Sequence, residues 1–333
     1  MPKFLRLRRV VPIAISAIVI ALAARFLLSD THGLRMSDVL HALRHIPVAS
    51  IVIGGVLVTV LYTALGACEA IVAVHVAGPV SGRRAAMGGV LAASIGHALG
   101  LGTVSGGAIR YRIYRAAGMR PIDIGKMIVL VAMPYPGGLG LMLSVSLLMQ
   151  SEAAAPILHT SAALVRGVGL ALFVMHLAYL TLVLRRREPL SFGRHRLTIP
   201  TPRLTGIQYL VGIIEVCCAA SVLYVLLPPS ISISWGVFVG VYVLSILAGL
   251  VSGAPAGLGA FEAALLVLMR QVPQLSPLNE AELLAAVIAY RGLLELLPLL
   301  LASSVFAAYE VWWRLPAQRA RAAAIRAAED RDD

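Results

Sequence analysis

Residues 48–77 read VASIVIGGVLVTVLYTALGACEAIVAVHVA, an apolar run in which Glu69 is the only acidic residue. A helix needs about 20 apolar residues to cross the hydrocarbon core of a bilayer, so this run is long enough to span it. Runs of similar character lie at about 10–28, 127–149, 157–184, 207–227, 235–252 and 283–311. The sequence therefore predicts an all-α fold, a polytopic bundle of membrane helices.

Composition supports this fold class. Hydrophobic residues make up 59% of the chain and charged residues only 13%, against about 25% charged residues in a typical soluble domain. Lys and Arg number 28 and Asp and Glu 16, which gives a net charge of +12. These charges lie mostly between the apolar runs, where lipid headgroups and membrane topology account for them. The lipid bilayer is therefore the expected partner, and nucleic-acid binding is not expected.

Two segments depart from the pattern of simple crossings. Residues 86–107 are apolar but contain seven glycines, and residues 257–270 form a run of only 14. At 1.5 Å per residue the second run is roughly 21 Å long, less than a hydrocarbon core of about 30 Å. We expect a re-entrant segment and a broken short helix, alongside about eight crossings. One interruption in each half of the chain is compatible with an inverted repeat.

The basic residues predict the orientation. With the N-terminus in the cytoplasm, 22 of them fall in cytoplasmic segments, 3 in outer loops and 3 inside apolar runs. This asymmetry favours cytoplasmic N- and C-termini. We expect an integral membrane domain over residues 1–313 and a charged cytoplasmic tail over 314–333. The run at 10–28 is interpreted as an uncleaved helix, although a signal peptide is the alternative reading.

The two interruptions carry the candidate binding residues. The first, from His97 to Arg115, reads HALGLGTVSGGAIRYRIYR, and the second, from Ser252 to Glu262, reads SGAPAGLGAFE. A broken helix exposes free N–H groups at a positive dipole end, which suits an anionic headgroup. The candidate residues here are His97, Gly106, Gly107, Arg110, Arg112, Gly257 and Gly259. The alternatives are that the glycines serve close helix packing, the arginines membrane topology and His97 a structural hydrogen bond.

Charged residues inside the apolar runs are further candidates, because burying a charge in lipid is costly. Arg291 and Glu295 are four residues apart and can pair on one helix face. Glu262 follows the second break and could bind a cation, accept a proton or hydrogen-bond the broken backbone. A purely structural ion pair is the competing reading for Arg291 and Glu295. Arg166 is a further member of the same class, and Glu69 and Glu215 are weaker members.

No cofactor or metal is expected. The three cysteines, Cys68, Cys217 and Cys218, lie in apolar runs without metal-ligand spacing and are interpreted as packing residues. The sequence also lacks a G-x-S-x-G nucleophile elbow. Enzyme chemistry is therefore not expected.

The run from Ser105 to Met119, SGGAIRYRIYRAAGM, resembles the membrane region of the multiple peptide resistance factors, the bacterial aminoacyl-phosphatidylglycerol synthase/flippases. SGAPAGLGAFE resembles that family's Pro-Gly-Gly-Leu-Gly-x-Phe-Glu element. Ala289-Tyr290-Arg291 through Leu297-Pro298 resembles its last flippase helix. Ala256 replaces a usual glycine, and Leu294 and Glu295 replace residues that are commonly aromatic.

The resemblance implies a flippase half in the bacterial inner membrane, which would move (aminoacyl-)phospholipid such as lysyl-phosphatidylglycerol and so contribute to antimicrobial peptide resistance. Phospholipid headgroups would be its ligands. Because the sequence ends at Asp333, without the family's synthase domain, transferase activity is not expected, and a separate lipid-modifying synthase or a second copy of the chain are candidate partners. The alternatives are an ion-coupled small-solute transporter and a non-transporting membrane partner of a separate enzyme.

Overall fold

The computed structural model describes residues 36–76, 79–99, 102–158, 160–185, 190–192, 195–197, 200–272 and 278–309. The predicted first crossing at 10–28 and the predicted tail at 314–333 lie outside these residues. The described part is helical apart from one short hairpin of strands, so the predicted all-α class is confirmed.

The described residues of the first half of the chain form eight helices. They are α1 (Met36–Arg44), α2 (Val48–His75), α3 (Gly82–Leu99), α4 (Gly102–Ala116), α5 (Pro121–Ala132), α6 (Pro134–Met149), α7 (Ser151–Ile157) and α8 (Ala162–Arg185). Both α5 and α6 begin with proline in the first helical turn, where the missing N–H costs no hydrogen bond. Pro134 thereby divides residues 121–149 into two helical segments joined at Met133.

The second half begins with an antiparallel pair of three-residue strands, β1 (Leu190–Phe192) and β2 (His195–Leu197), in which Leu190 pairs with Leu197. The helices that follow are α9 (Pro202–Leu226), α10 (Trp235–Val251), a 3-10 turn (Pro255–Gly257), α11 (Ala260–Arg270), α12 (Glu280–Arg291), a π-helical segment (Gly292–Leu296) and α13 (Leu297–Tyr309). The π segment joins α12 to α13 without a break in the helical path.

Within the part of the chain that the structure describes, five helical stretches are long and apolar enough to cross a membrane. They are Val48–His75, Pro121–Met149, Ala162–Arg185, Pro202–Leu226 and Glu280–Ala308. The predicted number of about eight crossings is not confirmed. The predicted crossing at 235–252 corresponds to α10, which has 17 residues, and the short run at 257–270 to α11, which has 11. At 1.5 Å per residue, α11 is about 16 Å long and does not span a bilayer by itself.

Both predicted interruptions form hairpins of two helices. In the first, a Cβ atom on Gly106 of α4 would lie 2.9 Å from the Ala92 carbonyl oxygen of α3. Gly88 likewise faces Tyr114 further from the break, so α4 runs back along α3. In the second, Gly249 of α10 faces Gly257, and the turn between them leads into α11. Each glycine-rich break is therefore the tip of a hairpin.

Helix α9 occupies the centre of the bundle and packs against α2, α6 and α10. Its residues Ala220, Val222 and Leu223 are fully buried. The contact between α6 and α9 is exceptionally close, because a Cβ atom on Gly212 would lie 1.9 Å from the Pro134 carbonyl oxygen. Small residues at a helix crossing allow such approach. The buried core thus forms around α9, with the two hairpins on its flanks.

Candidate functional site

A cavity of about 750 Å³ lies between the two hairpins and the central helix. Its walls are mostly apolar and include Leu61 of α2, Leu139 of α6, Val216 of α9 and Phe261 of α11. Pockets of this size and character, with a few polar groups, are typical ligand sites. The cavity is therefore the strongest candidate for a binding site in the described part of the chain.

Both interruptions contribute to the cavity. The end of α3 supplies His97, and the second tip supplies Gly253, Ala256 and Gly257. The 3-10 turn at the second tip also contacts α3 directly. Two breaks that are far apart in sequence, at residues 97–115 and 252–262, therefore meet at one cavity.

Arg110 lines the cavity and is paired with Glu69. Its Nε lies 2.8 Å from Glu69 Oε1, and its Nη2 lies 2.8 Å from Glu69 Oε2. The Tyr114 hydroxyl donates to Glu69 Oε1 at 2.7 Å. Two-point pairs of this kind fix both side chains and neutralise a charge that would be costly alone. Glu69 and Tyr114 thus hold Arg110 at the cavity wall.

Glycines make room for this pair. A Cβ atom on Gly89 would lie 2.6 Å from the Glu69 Cβ, and one on Gly88 would lie 2.9 Å from the Tyr114 hydroxyl oxygen. A Cβ atom on Gly106 would lie 2.9 Å from the Ala92 carbonyl oxygen and 3.0 Å from Arg110 Nη1, so this glycine is constrained on two sides. The packing role that the sequence left open for the glycines therefore applies to these three.

Arg291 organises the second charged group. Its Nε and Nη2 donate to Glu262 Oε1 at 2.9 and 2.6 Å, and its Nη1 donates to the Ala256 carbonyl at 3.1 Å. Nη1 also donates to Glu295, which confirms the predicted pairing of residues four apart. The Arg291 guanidinium lies over the Phe261 ring, 5.4 Å from its centroid. The side chain therefore ties α11, α12 and the second break together.

The second break itself has a left-handed backbone. Gly253, Gly257 and Gly259 have φ values of 67, 64 and 82°, which glycine adopts without strain. Ala256 has a φ of 54°, and it is the only non-glycine residue with positive φ in the described ranges. Glu262 Oε2 accepts a hydrogen bond from the Gly259 N–H at 2.8 Å, which caps α11. Glu262 thus does hydrogen-bond the broken backbone, one of its three predicted roles.

His97 and Glu215 form a third group. The His97 Nε2 and Glu215 Oε1 atoms are 3.4 Å apart. The His97 side chain is 35% exposed, whereas that of Glu215 is 6% exposed. The Tyr62 hydroxyl contacts His97 Nδ1 at 3.5 Å and donates to the Leu294 carbonyl at 3.1 Å. This group connects α2, α3 and α9 to the π segment.

The charged side chains at the cavity do not balance. Each of three carboxylates contacts an arginine: Glu69 contacts Arg110, and Glu262 and Glu295 contact Arg291. Glu215 has only His97 as an ion-pair partner within the described residues. With Glu262 included, which lies behind the lining residues, four carboxylates against two guanidinium groups leave two negative charges in excess when His97 is neutral.

The cavity reaches the surface of the bundle. Among its lining residues Met133 is 40% exposed and Leu250 is 55% exposed. Met133 lies at the junction of α5 and α6, and Leu250 lies near the end of α10. The opening therefore has apolar edges at two places where the helices are interrupted.

The ten predicted site residues divide into two sets. Five line the cavity: His97, Arg110, Gly257, Arg291 and Glu295. Five do not: Gly106, Gly107, Arg112, Gly259 and Glu262. Gly106, Gly259 and Glu262 support the lining residues from behind, as described above. Arg112 lies over the Phe306 ring at 5.7 Å from its centroid, and Gly107 packs against Ile128.

Several residues at the site were not predicted from the sequence, or only as minor candidates. Glu69 and Glu215 ranked as weak candidates, although each is a lone acidic residue in an apolar run, and that is the signal that identifies them. Tyr242 and Tyr290 line the cavity with their hydroxyl oxygens 2.7 Å apart. No sequence pattern distinguishes these tyrosines from ordinary core residues. Arg166, another candidate among the charged residues of the apolar runs, lies away from the cavity beside Ser151 and Glu152.

The described residues contain no group of three or more His, Cys, Asp or Glu side chains that could hold a metal ion. The cysteines Cys68, Cys217 and Cys218 are unpaired there, with Cys68 and Cys218 buried.

No family model matches the chain. It is 25% identical over 310 residues to the uncharacterized protein slr0712 of Synechocystis sp. (strain ATCC 27184 / PCC 6803 / Kazusa). The similarity covers 92% of this chain and 94% of the cyanobacterial protein, so it extends through the helices that form both hairpins.

Proposed function

We propose that this chain moves a phospholipid with an amine-bearing headgroup, such as lysyl-phosphatidylglycerol, between the leaflets of a bacterial inner membrane. One observation carries the proposal: two interrupted helices meet at one charged cavity that is walled by apolar side chains and opens at apolar edges. Charged groups within a membrane bundle mark substrate paths by default.

The dimensions of the cavity support a lipid headgroup. A volume of about 750 Å³ lies within the range of roughly 300–1,000 Å³ that ligand pockets occupy. The apolar edges at Met133 and Leu250 would allow acyl chains to remain in lipid while the headgroup occupies the cavity. A water-soluble substrate would not need such edges.

The charges support a headgroup that carries both signs. Arg110 presents a guanidinium whose Nη1 has no hydrogen-bond partner within the described ranges, since Glu69 holds Nε and Nη2. We assign this nitrogen to the lipid phosphate. Glu295 also lines the cavity, and we assign it to the cationic amine of the headgroup.

The architecture supports movement of the headgroup past the cavity. Transporters of many folds place discontinuous helices from two repeats around a central site. Here the hairpins α3–α4 and α10–α11 would be the two related elements of an inverted repeat. Cytoplasmic N- and C-termini, as the basic residues predict, would place the two hairpins on opposite sides of the membrane.

The test is leaflet-specific labelling. The purified chain is reconstituted into liposomes that contain lysyl-phosphatidylglycerol, and lipid amines on the outer surface are labelled with a membrane-impermeant reagent. We expect the labelled fraction to rise with time beyond that of protein-free liposomes. The variant Glu295→Gln should slow this rise, whereas Arg166→Gln, which alters a charge away from the cavity, should not. Equal rates in protein-free and wild-type liposomes would refute lipid translocation.

A second candidate is an ion-coupled transporter of a small organic cation, and the excess of two carboxylates at the cavity favours it. Uptake of a radiolabelled water-soluble diamine by the same liposomes distinguishes the two. Lipid translocation predicts no uptake, whereas the transporter predicts uptake without lipid movement. The third reading, a non-transporting partner of a separate synthase, predicts neither activity and instead predicts sensitivity to substitutions in loop 185–203.

A further inference from the structure

We propose that His97 and Glu215 form a proton-binding site, and that the bound proton competes with the cationic part of the substrate. The competition rests on the proposed function, while the proton site itself rests on the geometry alone.

Glu215 differs from the other three carboxylates in its partner. Glu69, Glu262 and Glu295 are each bound by a permanently charged guanidinium. Glu215 has His97 at 3.4 Å as its only ion-pair partner in the described ranges. Because imidazole carries a charge only when protonated, the charge of Glu215 is compensated only in that state.

The site can exchange its proton with the cavity. Glu215 is buried, but the His97 side chain is 35% exposed and both residues line the cavity. When a proton is taken up, the neutral imidazole becomes an imidazolium whose Nε2–H donates to Glu215 Oε1. When the proton leaves, imidazole and carboxylate remain, and the pair changes from neutral to one negative charge.

Other groups around the pair set its electrostatic environment. Those that interact with His97 or Glu215 come from four surrounding elements and are Tyr62 and Cys68 of α2, Arg110 of α4, Tyr135 of α6 and Glu295 of the π segment. Arg110 opposes protonation and Glu295 favours it. A cation that enters the cavity beside Glu295 would act like Arg110 and disfavour the proton.

The pair is also linked, through Tyr62, to the π segment. Tyr62 bridges His97 Nδ1 and the Leu294 carbonyl in the π segment. Protonation of His97 adds an Nε2–H that donates to Glu215, and the charge it places on the ring strengthens the Nδ1–H donation to Tyr62. The charge state is therefore connected to the segment that carries Glu295, the residue to which we assign the amine. Proton and cationic headgroup would thus exchange at one cavity.

The first experiment measures the proton site without a lipid. Histidine-labelled full-length protein in detergent is titrated by NMR, and the His97 resonance among the eight histidines is identified by its loss in His97→Asn. We expect His97 to titrate. Its titration midpoint should fall by about one pH unit or more in Glu215→Gln, because the carboxylate that favours the imidazolium is then absent. Absence of titration between about pH 4 and 9, or an unchanged midpoint in Glu215→Gln, would overturn the site.

The second experiment measures competition. Binding of lysyl-phosphatidylglycerol to the same protein is followed across the His97 titration. We expect affinity to fall by about tenfold when His97 is protonated, and this pH dependence to disappear in His97→Asn. The control His75→Asn, at an exposed position at the end of α2, should keep it.

The two failures are distinguishable. An affinity that does not depend on pH in the wild type, or that depends on it equally in His97→Asn, would overturn the competition while leaving lipid binding intact. Absence of lipid binding at every pH would overturn the proposed substrate together with the competition, and the NMR titration would still decide the proton site.

Discussion

Glu69 and Arg110 are joined by two hydrogen bonds of 2.8 Å across the contact between α2 and the first hairpin. Both residues are buried, with 1% and 8% of their surface exposed. The pair fixes the hairpin to the bundle and places a guanidinium at the cavity wall. It therefore serves the stability of the fold as well as the candidate site, and the two contributions can be separated by substitution.

The first prediction concerns this pair. Glu69→Gln leaves a buried guanidinium without its counter-charge, so we expect the free energy of unfolding to fall by about 3 kcal/mol or more. The measurement is SDS-induced unfolding of the detergent-solubilised protein. The control is Glu152→Gln, which removes an exposed ion pair with Arg166 and should cost less than about 1 kcal/mol. If the effects of Glu69→Gln and Arg110→Gln simply add in the double variant, the coupling does not exist.

The second prediction concerns the glycines. Gly89→Ala would place a Cβ 2.6 Å from the Glu69 Cβ, so we expect loss of folded protein or a fall of about 2 kcal/mol in the free energy of unfolding. Gly107→Ala meets only Ile128 at 3.5 Å and should be neutral or stabilising, because alanine favours helix by about 1 kcal/mol over glycine. The two variants are compared by their yield of monodisperse protein and by their thermal unfolding. Equal behaviour of the two variants would contradict the packing described here.

The third prediction concerns Ala256. Its left-handed conformation costs an L-residue roughly 1–2 kcal/mol, and glycine would relieve this at a smaller cost in chain entropy. We expect Ala256→Gly to raise the midpoint of thermal unfolding. The same change in the interior of α11, Ala263→Gly, should lower it, since glycine destabilises helices. A lower midpoint in Ala256→Gly would show that the backbone at this break differs from the one described.

The fourth prediction separates structure from transport among the acidic residues. Both carboxylate oxygens of Glu262 are engaged, one by Arg291 and one by the Gly259 N–H. Glu262→Gln should therefore reduce stability by about 2–4 kcal/mol. Glu295 lines the cavity, and it lies in the π segment, four residues after Arg291. Glu295→Gln should leave Arg291 paired with Glu262, cost less stability and reduce lipid movement in the labelling assay. The reverse order of stability losses would assign the structural role to Glu295 instead.

Local sequence relationships predicted part of this site. The pairing of Arg291 with Glu295 follows from a spacing of four residues along one helix, and both breaks follow from glycine content and length. The role of Glu262 as a cap was among the readings that its position after Gly259 allowed. Such features need only the geometry of one helix and its ends.

Relationships between distant helices were not predictable. Arg110 and Glu69 are 41 residues apart, and nothing in the sequence pairs one lone glutamate with one of three nearby arginines. The same holds for His97 and Glu215, which approach only because α3 and α9 flank the same cavity. The number of crossings also needed the fold, because apolar runs at 235–252 and 257–270 do not reveal by themselves that they form one hairpin. Both the ion pairs between helices and the number of crossings depend on how the helices pack, and that packing involves the whole bundle.

The π segment Gly292–Leu296 has a consequence for the surface of the last helix. A π turn accommodates one residue more than an α turn. Side chains after Leu296 therefore point about 100° away from where an uninterrupted α-helix of the same sequence would place them. The additional residue in the π turn sets the direction of the exposed side chains on the last helix, which are Leu300, Leu301 and Val305. A related sequence with a one-residue gap inside this segment would therefore close it into a regular α turn and still present the same side of its final helix outwards, so such a gap would mark the loss of the π turn and not a rearranged outer surface.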